Sequence, residues 1–207
     1  MFAVDQKFPS FSLETYFPER DEVGYLNSRD FTGKWLILFW YPKDFTFVCP
    51  TELADLQARH EEFRAQGAEV LSVSTDTVYT HKGWVEAEKL LSNLKFAMAA
   101  DHNARLAREL GIYDEPAGVA QRAAFIIDPD GVLRAADIVS DDIGRSAGEL
   151  LRKLKALKFV REHPGKVCPA SWDEGAPTLV PSIKIAGKVH DAVAGEASKR
   201  DRNSLPR

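Results

Sequence analysis

Hydrophobic and polar positions along the chain predict strands and helices that follow one another in alternation. The continuous apolar run "KWLILFWY" (34–41) is typical of a strand that is buried on both faces. We expect a helix after it, because Pro50 suits the first helical position and Gly67 suits the end of a helix. The apolar positions of this helix recur at spacings of three and four, at Leu53, Leu56, His60 and Phe63.

The rest of the chain continues the same alternation. The pattern predicts a second buried strand over 69–76, helices over 79–91 and 103–110, two strands within 123–139, and an amphipathic helix over 146–163. A turn, "DPDG" (128–131), joins the two strands within 123–139. This order predicts a layered α/β domain that matches a thioredoxin-like sheet with additions.

Composition and charge exclude several classes of partner. The chain has 207 residues, of which 44% are hydrophobic, so it can bury one substantial core and form one main domain. The formal net charge of -4 gives no strong attraction to nucleic acid or to anionic membranes. The N-terminus lacks a basic region followed by an apolar run, and no stretch approaches the length that spans a bilayer. We therefore expect a cytoplasmic protein with no nucleic-acid partner and no membrane partner.

The chain has two cysteines, Cys49 and Cys168, and so small a number does not indicate a disulfide scaffold. No C-x-x-C occurs, which argues against an ordinary thioredoxin-type active site and against a zinc ribbon. The five histidines are scattered and form no H-E-x-x-H motif. We therefore expect neither a metal nor a cofactor, and each cysteine has to be considered singly.

Cys49 precedes Pro50, so it lies at or next to the N-cap of the predicted helix. Unpaired N–H groups and the helix dipole favour an anion there, and the thiolate is the reactive form of cysteine. The carboxylate of Glu52, one turn on, would by itself disfavour a thiolate, so a cation is needed nearby. The candidate is Arg122 in "RAAFIID", if the two strands are adjacent. Thr46 lies three residues before the cysteine, where its hydroxyl can orient an oxygen-containing substrate.

A structural role for Cys49 is the alternative interpretation, because free cysteine is among the most buried residue types. The proline after it, the start of a helix and the need for a cation favour a reactive thiol.

Two other classes of function stay open. A cysteine hydrolase or transferase would pair Cys49 with a histidine base and would not need Cys168. A chaperone or scaffold would keep its activity after a Cys49→Ser change.

The residues around Cys49 resemble the active-site signature of the peroxiredoxins. Pro42, Thr46 and Cys49 stand as P-x-x-x-T-x-x-C within "FWYPKDFTFVCPTEL". The resemblance covers about residues 30 to 188, through the segments 73–84, 115–131, 143–160 and 163–182. Among peroxiredoxins it is closest to the typical two-cysteine type, of the bacterial alkyl hydroperoxide reductase C-component kind.

The resemblance implies an α/β, thioredoxin-like fold with peroxiredoxin-type N-terminal and C-terminal additions. It also implies a division of labour between the two cysteines. Cys49 would attack a hydroperoxide as a thiolate and become a sulfenic acid. Cys168 would then resolve this sulfenic acid as an intersubunit disulfide.

Five further residues receive roles from the same resemblance. Pro42 would shield the site, and Thr46 would hydrogen-bond the peroxide. Arg122 would stabilise both the thiolate and the developing negative charge. The remaining two, Glu52 and Arg145, match family positions that orient the site arginine.

The resemblance further implies a thiol-dependent peroxidase that reduces hydrogen peroxide and organic hydroperoxides. A flavoprotein disulfide reductase or a thioredoxin-like dithiol donor would re-reduce the disulfide. The enzyme would form a homodimer, and five dimers would assemble into a redox-sensitive decamer. The G-G-L-G insertion and the C-terminal Y-F helix of oxidation-sensitive relatives are absent from the sequence, so we expect resistance to inactivation by excess peroxide.

The predicted organisation has three parts. Residues 1–163 form the thioredoxin-like peroxidatic domain, residues 164–188 carry the resolving cysteine, and residues 189–207 form a tail that we expect to be poorly ordered. Packing roles are predicted for four residues: a satisfied core histidine at His60, packing near the active site for His81 and Trp84, and a hold on the reduced C-terminal segment for Trp172.

Overall fold

A computed structural model describes residues 3–191, and these divide into two compact units, one up to Gly148 and one from Glu149 onward. The strands are β1 (Ser12–Phe17), β2 (Glu22–Asn27), β3 (Trp35–Trp40), β4 (Ala68–Ser74), β5 (Ala97–Ala100), β6 (Tyr113–Asp114), β7 (Val119–Ala120), β8 (Arg122–Ile127) and β9 (Leu133–Val139). The α-helices are α1 (Cys49–Ala58), α2 (His60–Ala65), α3 (Val78–Ala87), α4 (Arg105–Leu110) and α5 (Ala147–Glu162). Short 3-10 helices lie at Ser28–Phe31, Lys89–Leu91 and Ile183–Ile185.

The main sheet of the described residues places β3 in its interior. Its strands run in the order β2-β1-β5-β4-β3-β8-β9, with β3 parallel to β4 and antiparallel to β8. All residues of β3 are buried, as its continuous apolar run predicts. The register pairs Trp40 with Ala123, so Arg122 at the start of β8 lies beside the end of β3. The strands that carry the two halves of the predicted site are therefore adjacent.

Alternate residues of β3 point to opposite faces of the sheet. Leu36, Leu38 and Trp40 are buried in a hydrophobic core that includes residues of β4, β8 and α4. Phe39 faces the other way, and the guanidinium of Arg145 lies over its ring at 3.6 Å from the centroid. One strand thus contributes to the core and to the floor of the predicted site.

The helix predicted after β3 is divided into two helices. α1 ends at Ala58 and α2 begins at His60, with Arg59 between them at φ -109° and ψ 9°. The apolar stripe continues across the break, because all its members are buried: Leu53, Leu56, His60 and Phe63. The prediction of one helix up to Gly67 was therefore wrong at Arg59, where the spacing of buried residues carries no sign of a break.

Most other predicted elements are confirmed with small shifts at their ends. The strand predicted over 69–76 is β4, and the helices predicted over 79–91, 103–110 and 146–163 are α3 with a 3-10 turn, α4 and α5. The two strands predicted within 123–139 are β8 and β9, which pair antiparallel. The pattern did not predict β1 and β2, which join the sheet through β5. No residue of β2 is buried, so its hydrophobic signal is weak.

The second unit contains most of α5 and the segment that carries Cys168. The apolar face of α5 is largely buried: Leu150, Leu151 and Leu154 are buried, and Leu157 is half-buried. Beyond α5 the segment is loop-rich, as expected, with one bridge between Val167 and Leu179. From residue 192 onward the predicted tail lies outside the described residues. Over residues 3–191, each helix is too short or too polar to cross a bilayer.

Candidate active site

Cys49 is the first residue of α1, and its side chain is fully buried. The helix thus begins one residue earlier than expected, and Pro50 takes the second position. After β3 the chain turns through residues 41–48 and reaches Val48, the N-cap, whose side chain makes no capping hydrogen bond. The positive dipole end of α1 lies at Cys49 and favours a thiolate there. Pro50 has no N–H, and the backbone N–H groups of Thr51 and Glu52 donate to the Val48 carbonyl oxygen.

The hydroxyl of Thr46 lies beside the sulfur of Cys49. Its Oγ1 is 3.0 Å from Cys49 Sγ and 2.9 Å from the carbonyl oxygen of Lys43. A hydroxyl has one proton and two lone pairs, so Thr46 can donate to Lys43 while it accepts a hydrogen bond from a group next to Sγ. This geometry suits a hydroxyl that orients the protonated oxygen of a peroxide towards the sulfur.

Arg122 supplies a cation beside both Cys49 and Glu52. Its Nη1 lies 3.3 Å from Cys49 Sγ and 2.8 Å from Glu52 Oε2, and its Nε donates to the carbonyl oxygen of Asp141 at 2.8 Å. These three contacts hold the guanidinium in one orientation. Burial acts to lower the pKa of Arg122, but the hydrogen bond to Cys49 and the charges of Cys49 and Glu52 outweigh burial and raise it. The guanidinium is therefore charged at any pH at which the protein works.

Glu52 is held by two buried arginines. Besides Arg122, Arg145 donates its backbone N–H and its Nε to Glu52 Oε1 at 2.8 and 2.9 Å, and its Nη2 to Oε2 at 3.1 Å. Burial lowers the pKa of Arg145, and the hydrogen bond to Glu52 offsets part of that effect. Charge-assisted bonds of this fork-shaped kind orient both partners.

The charges of this cluster balance when Cys49 is a thiolate. The side chains of Glu52, Arg122 and Arg145 are no more than 5% exposed, so water screens them poorly. Among these three side chains, two guanidinium groups and one carboxylate leave one net positive charge, and the charge of Asp137 also acts on Arg145. A buried positive charge is costly unless negative groups lie near it. A negative sulfur beside Arg122 neutralises it. Glu52, which alone would oppose the thiolate, thus holds the two cations that favour it.

A second buried network holds the loop that carries Thr46. Asp44 accepts a hydrogen bond from Tyr41 Oη at 2.7 Å and lies 2.7 Å from His81 Nδ1, and its backbone N–H donates to Asp76 at 2.9 Å. Burial raises the pKa of Asp44, and its hydrogen bond with His81 offsets part of the rise. Tyr41 and Asp44 were not among the site residues predicted from the sequence. The one sequence signal was Asp44 itself, an acidic residue between the aromatic residues of the segment "YPKDF". A carboxylate that is buried there requires hydrogen-bond partners.

The other predicted packing residues of the first unit are buried. Pro42 is buried in the loop after β3. Trp84 on α3 has its ring centroid 5.7 Å from that of Tyr41 and 6.3 Å from that of Phe45. His60 is buried, but within the described residues its Nδ1 has no hydrogen-bond partner, and burial lowers its pKa. The prediction of a satisfied core histidine was therefore wrong in this respect.

Cys168 lies in the second unit, in a half-buried turn. Its Sγ is 3.9 Å from the carbonyl oxygen of Ala156 on α5, and both cysteines are free thiols. Burial raises the pKa of Cys168, and the charge of Arg152 lowers it in part. The thiol is therefore mostly protonated at neutral pH in this turn.

The neighbours of Cys49 limit the chemistry that it can perform. Its sulfur makes hydrogen bonds with a hydroxyl and a guanidinium, Thr46 and Arg122, and a hydrolase would need a histidine base there instead. Among residues 3–191, no group of three or more histidine, cysteine or acidic side chains is arranged to hold a metal ion. The arrangement suits a thiolate that attacks an oxygen atom.

Family models and curated relatives match most of the chain. The model of the AhpC/TSA family matches residues 4–136, and that of the C-terminal domain of 1-Cys peroxiredoxin matches residues 156–184. Alkyl hydroperoxide reductase C of Staphylococcus epidermidis is 43% identical over 189 residues, which are 91% of this chain and 100% of that protein. The protein of the same name from Staphylococcus aureus is 42% identical with the same coverage.

Solved structures show the same fold. The crystal structure of Enterococcus faecalis AhpC has a TM-score of 0.78 and 44% identity, over 82% of this chain and 100% of that one. The reduced Plasmodium vivax 2-Cys peroxiredoxin has a TM-score of 0.86 and 30% identity, over 92% of this chain and 100% of that one. Fold and relatives together define a thioredoxin-like thiol peroxidase of the peroxiredoxin class. The chain belongs to the AhpC/TSA family, and the predicted family, fold class and enzyme class are confirmed.

Proposed function

We propose that the enzyme reduces hydrogen peroxide and organic hydroperoxides with Cys49 as the attacking residue. The observation that carries this proposal is the pair of contacts that Thr46 and Arg122 make with Cys49 Sγ, at 3.0 and 3.3 Å. The thiolate attacks the terminal oxygen, so that an S–O bond forms while the O–O bond breaks. The other oxygen leaves as an alcohol or as water after it takes a proton, and Cys49 becomes a sulfenic acid.

The surrounding residues have separate tasks in this step. The hydroxyl oxygen of Thr46 accepts a hydrogen bond from the O–H group of the hydroperoxide. This bond aligns the O–O bond of the substrate with the sulfur. Arg122 stabilises the thiolate and the negative charge that develops on the leaving oxygen. Glu52 and Arg145 orient Arg122, which their ion pairs support. Pro42 shields the sulfur from water, and its burial supports this role.

Cys168 resolves the sulfenic acid in a second step. Its thiolate attacks Cys49 Sγ of a second subunit, so that an S–S bond forms and the S–O bond breaks, and the oxygen leaves as water. A flavoprotein disulfide reductase or a thioredoxin-like dithiol then returns two electrons to the disulfide. The position of Cys168 in a half-buried, loop-rich segment supports this role.

The proposal includes a homodimer and a decamer of five dimers. Among residues 3–191, β9 pairs on one side only, with β8, and so offers an edge to a second subunit. Exposed aromatic side chains on the active-site loop and the first turn of α3 offer a second surface, with exposures of 57%, 91% and 74% for Phe45, Phe47 and Tyr79.

In the proposed organisation of the chain, residues 1–163 are the peroxidatic domain, residues 164–188 are the resolving segment and residues 189–207 are a tail. A cytoplasmic location stays a prediction from the sequence.

A stopped-flow experiment tests the two cysteine roles. The reduced protein is mixed with hydrogen peroxide and followed by tryptophan fluorescence, with Cys49→Ser and Cys168→Ser beside the wild type. We expect the wild type to form an intersubunit disulfide, Cys49→Ser to be silent, and Cys168→Ser to stop at the sulfenic acid. If all three proteins react at the slow rate of an ordinary thiol, the proposed function is wrong.

A further inference from the structure

Trp172 is the residue around which the turn that carries Cys168 is folded. Its side chain is 3% exposed, and its ring centroid lies 5.1 Å from that of Phe159 on α5. Its Nε1 donates to the carbonyl oxygen of Ala176 at 3.0 Å, and its backbone N–H donates to that of Pro169 at 3.2 Å. Both hydrogen bonds stay within the turn, so they shape it but do not attach it to the helix.

Arg152 on α5 makes the attachment. Its Nη1 donates to the carbonyl oxygen of Trp172 at 2.6 Å. Its Nε and Nη2 donate to the two carboxylate oxygens of Glu149, one turn earlier, at 2.8 and 2.9 Å. Glu149 therefore fixes the guanidinium plane, and the remaining nitrogen points at the turn. Lysine, with a single ammonium, cannot reproduce this three-bond geometry.

Two further contacts between the turn and α5 are weaker. Lys155 and Glu174 form an ion pair at 3.4 Å, but Glu174 is 68% exposed, and such pairs contribute little. The sulfur of Cys168 lies 3.9 Å from the carbonyl oxygen of Ala156, at the long limit for a thiol donor. Of the contacts named here, the Arg152 hydrogen bond and the Phe159 ring contact are therefore the strongest, and both act through Trp172.

We propose that Arg152 is a positioning residue for Cys168: it holds the turn of residues 168–176 closed on α5 and so limits how fast Cys168 reaches the sulfenic acid of Cys49. This inference rests on the proposed resolving role of Cys168. To form the S–S bond, Cys168 has to leave the turn, and the hydrogen bond from Arg152 to the Trp172 carbonyl has to break first. Slower resolution leaves the sulfenic acid exposed for longer to a second peroxide, which oxidises it to a sulfinic acid.

The test variant is Arg152→Lys, because it keeps the positive charge beside Cys168 and removes the guanidinium group that makes the three hydrogen bonds. The full-length protein is studied by hydrogen exchange of segment 168–176 in the reduced state, and by the rate of disulfide formation after one equivalent of hydrogen peroxide. We expect both to rise about fivefold, the size expected when one net hydrogen bond is lost. The rate of sulfenic acid formation at Cys49 should not change. Arg105→Lys, at an exposed arginine of the first unit, is the matched control.

A second variant, Glu149→Gln, leaves Arg152 in place and weakens the hydrogen bonds that orient its guanidinium. Hydrogen exchange and disulfide formation should therefore rise in this variant as well, but by less. If hydrogen exchange and the rate of disulfide formation in both variants equal those of Arg105→Lys, the inference about Arg152 is wrong and the proposed function is unaffected. A wild type that forms no disulfide through Cys168 would instead overturn the proposed function, and the inference with it. A general loss of stability is distinguished by hydrogen exchange, since it would raise exchange in the core strands as well.

Discussion

At the scale of single residues, the site combines a fixed cation with a hydroxyl that can change its hydrogen-bond partner. Arg122 is held by Glu52 and by the Asp141 carbonyl, so it contributes charge without having to reorganise. Thr46 lies between the Lys43 carbonyl and the sulfur, so its proton can turn from one to the other as the substrate arrives. Under the proposed function, the thiolate is therefore stabilised before the peroxide binds, and the peroxide is oriented once it does.

The charge balance of the cluster leads to a prediction for Arg122. In Arg122→Gln the remaining pair of Glu52 and Arg145 is neutral, so a thiolate at Cys49 has no neutralising partner. We expect the second-order rate constant for hydrogen peroxide, measured by stopped flow, to fall about 100-fold, the scale found when one transition-state donor is removed. Arg108→Gln, an exposed arginine paired with Glu115, is the control. A loss of less than threefold for Arg122→Gln would contradict the role of this charge.

Cys168 gives a prediction for pH dependence. Burial raises the pKa of its thiol, so the closed turn binds the thiol proton more tightly than an open one does. This stabilisation of the closed turn is complete below the ordinary pKa of a thiol and is lost as the pH rises through the raised value. Because the raised pKa lies above pH 8 and only the thiolate attacks, we expect single-turnover disulfide formation to accelerate about tenfold per pH unit between pH 6 and pH 8. A flat profile over that range would contradict it.

The candidate site was only partly predictable from the sequence. The helix start at Cys49 and the carboxylate of Glu52 indicated that a cation was needed. That Arg122 is this cation depends on the adjacency of β3 and β8, which no local pattern encodes. The position of Arg145 came from the family resemblance, and its backbone N–H bond to Glu52 has no sequence signal. Asp44 was missed because burial of an acidic residue is decided by the packing around it.

At the scale of secondary-structure elements, local sequence specifies some strands and helices, and tertiary packing decides others. β3 was predictable because a strand buried on both faces needs an unbroken apolar run. β2 was not, because an edge strand without buried residues has no such run. The break at Arg59 preserves the buried stripe across α1 and α2, so hydrophobic spacing alone could not reveal it.

Two glycines give an element-scale prediction with opposite signs. A Cβ at Gly144 would lie 3.3 Å from Val48 Cγ1 and 3.6 Å from Glu52 Cγ, at the start of α1, whereas a Cβ at Gly83 within α3 would meet nothing within 4 Å. Gly144→Ala should therefore slow the oxidation of Cys49 and destabilise the protein by about 1 kcal/mol through overpacking. Gly83→Ala should stabilise it by about 0.5–1 kcal/mol through helix propensity and leave the rate unchanged.

Urea unfolding of the reduced proteins, at one fixed protein concentration, measures the stability changes, and stopped flow measures the rates. If Gly144→Ala oxidises Cys49 at the wild-type rate, the start of α1 tolerates displacement and the contact with Val48 is not needed for positioning. If Gly83→Ala destabilises the protein, the space beside α3 is occupied in the assembled enzyme.

At the scale of the whole molecule, three large aromatic side chains near the candidate site are exposed. Phe45 and Phe47 belong to the loop between β3 and α1, and Tyr79 to the first turn of α3. The ring contact between Phe45 and Trp84 connects this loop to α3. If this surface is covered in a decamer, assembly steadies the loop that carries Thr46, and oligomeric state and peroxide reactivity become coupled.

The substitution Phe47→Arg tests that coupling, because Phe47 is 91% exposed and an arginine there costs the isolated subunit little. In a covered apolar contact the same arginine would be a buried, unpaired charge, which opposes assembly strongly. By sedimentation velocity we expect a decamer for the reduced wild type and a dimer for Phe47→Arg, with slower oxidation of Cys49 in the dimer. Tyr25→Arg, on the exposed strand β2 at 66% exposure, should leave both properties unchanged. A wild type that is dimeric when reduced and when oxidised would remove the decamer from the proposal, whereas a decameric Phe47→Arg would assign assembly to another surface.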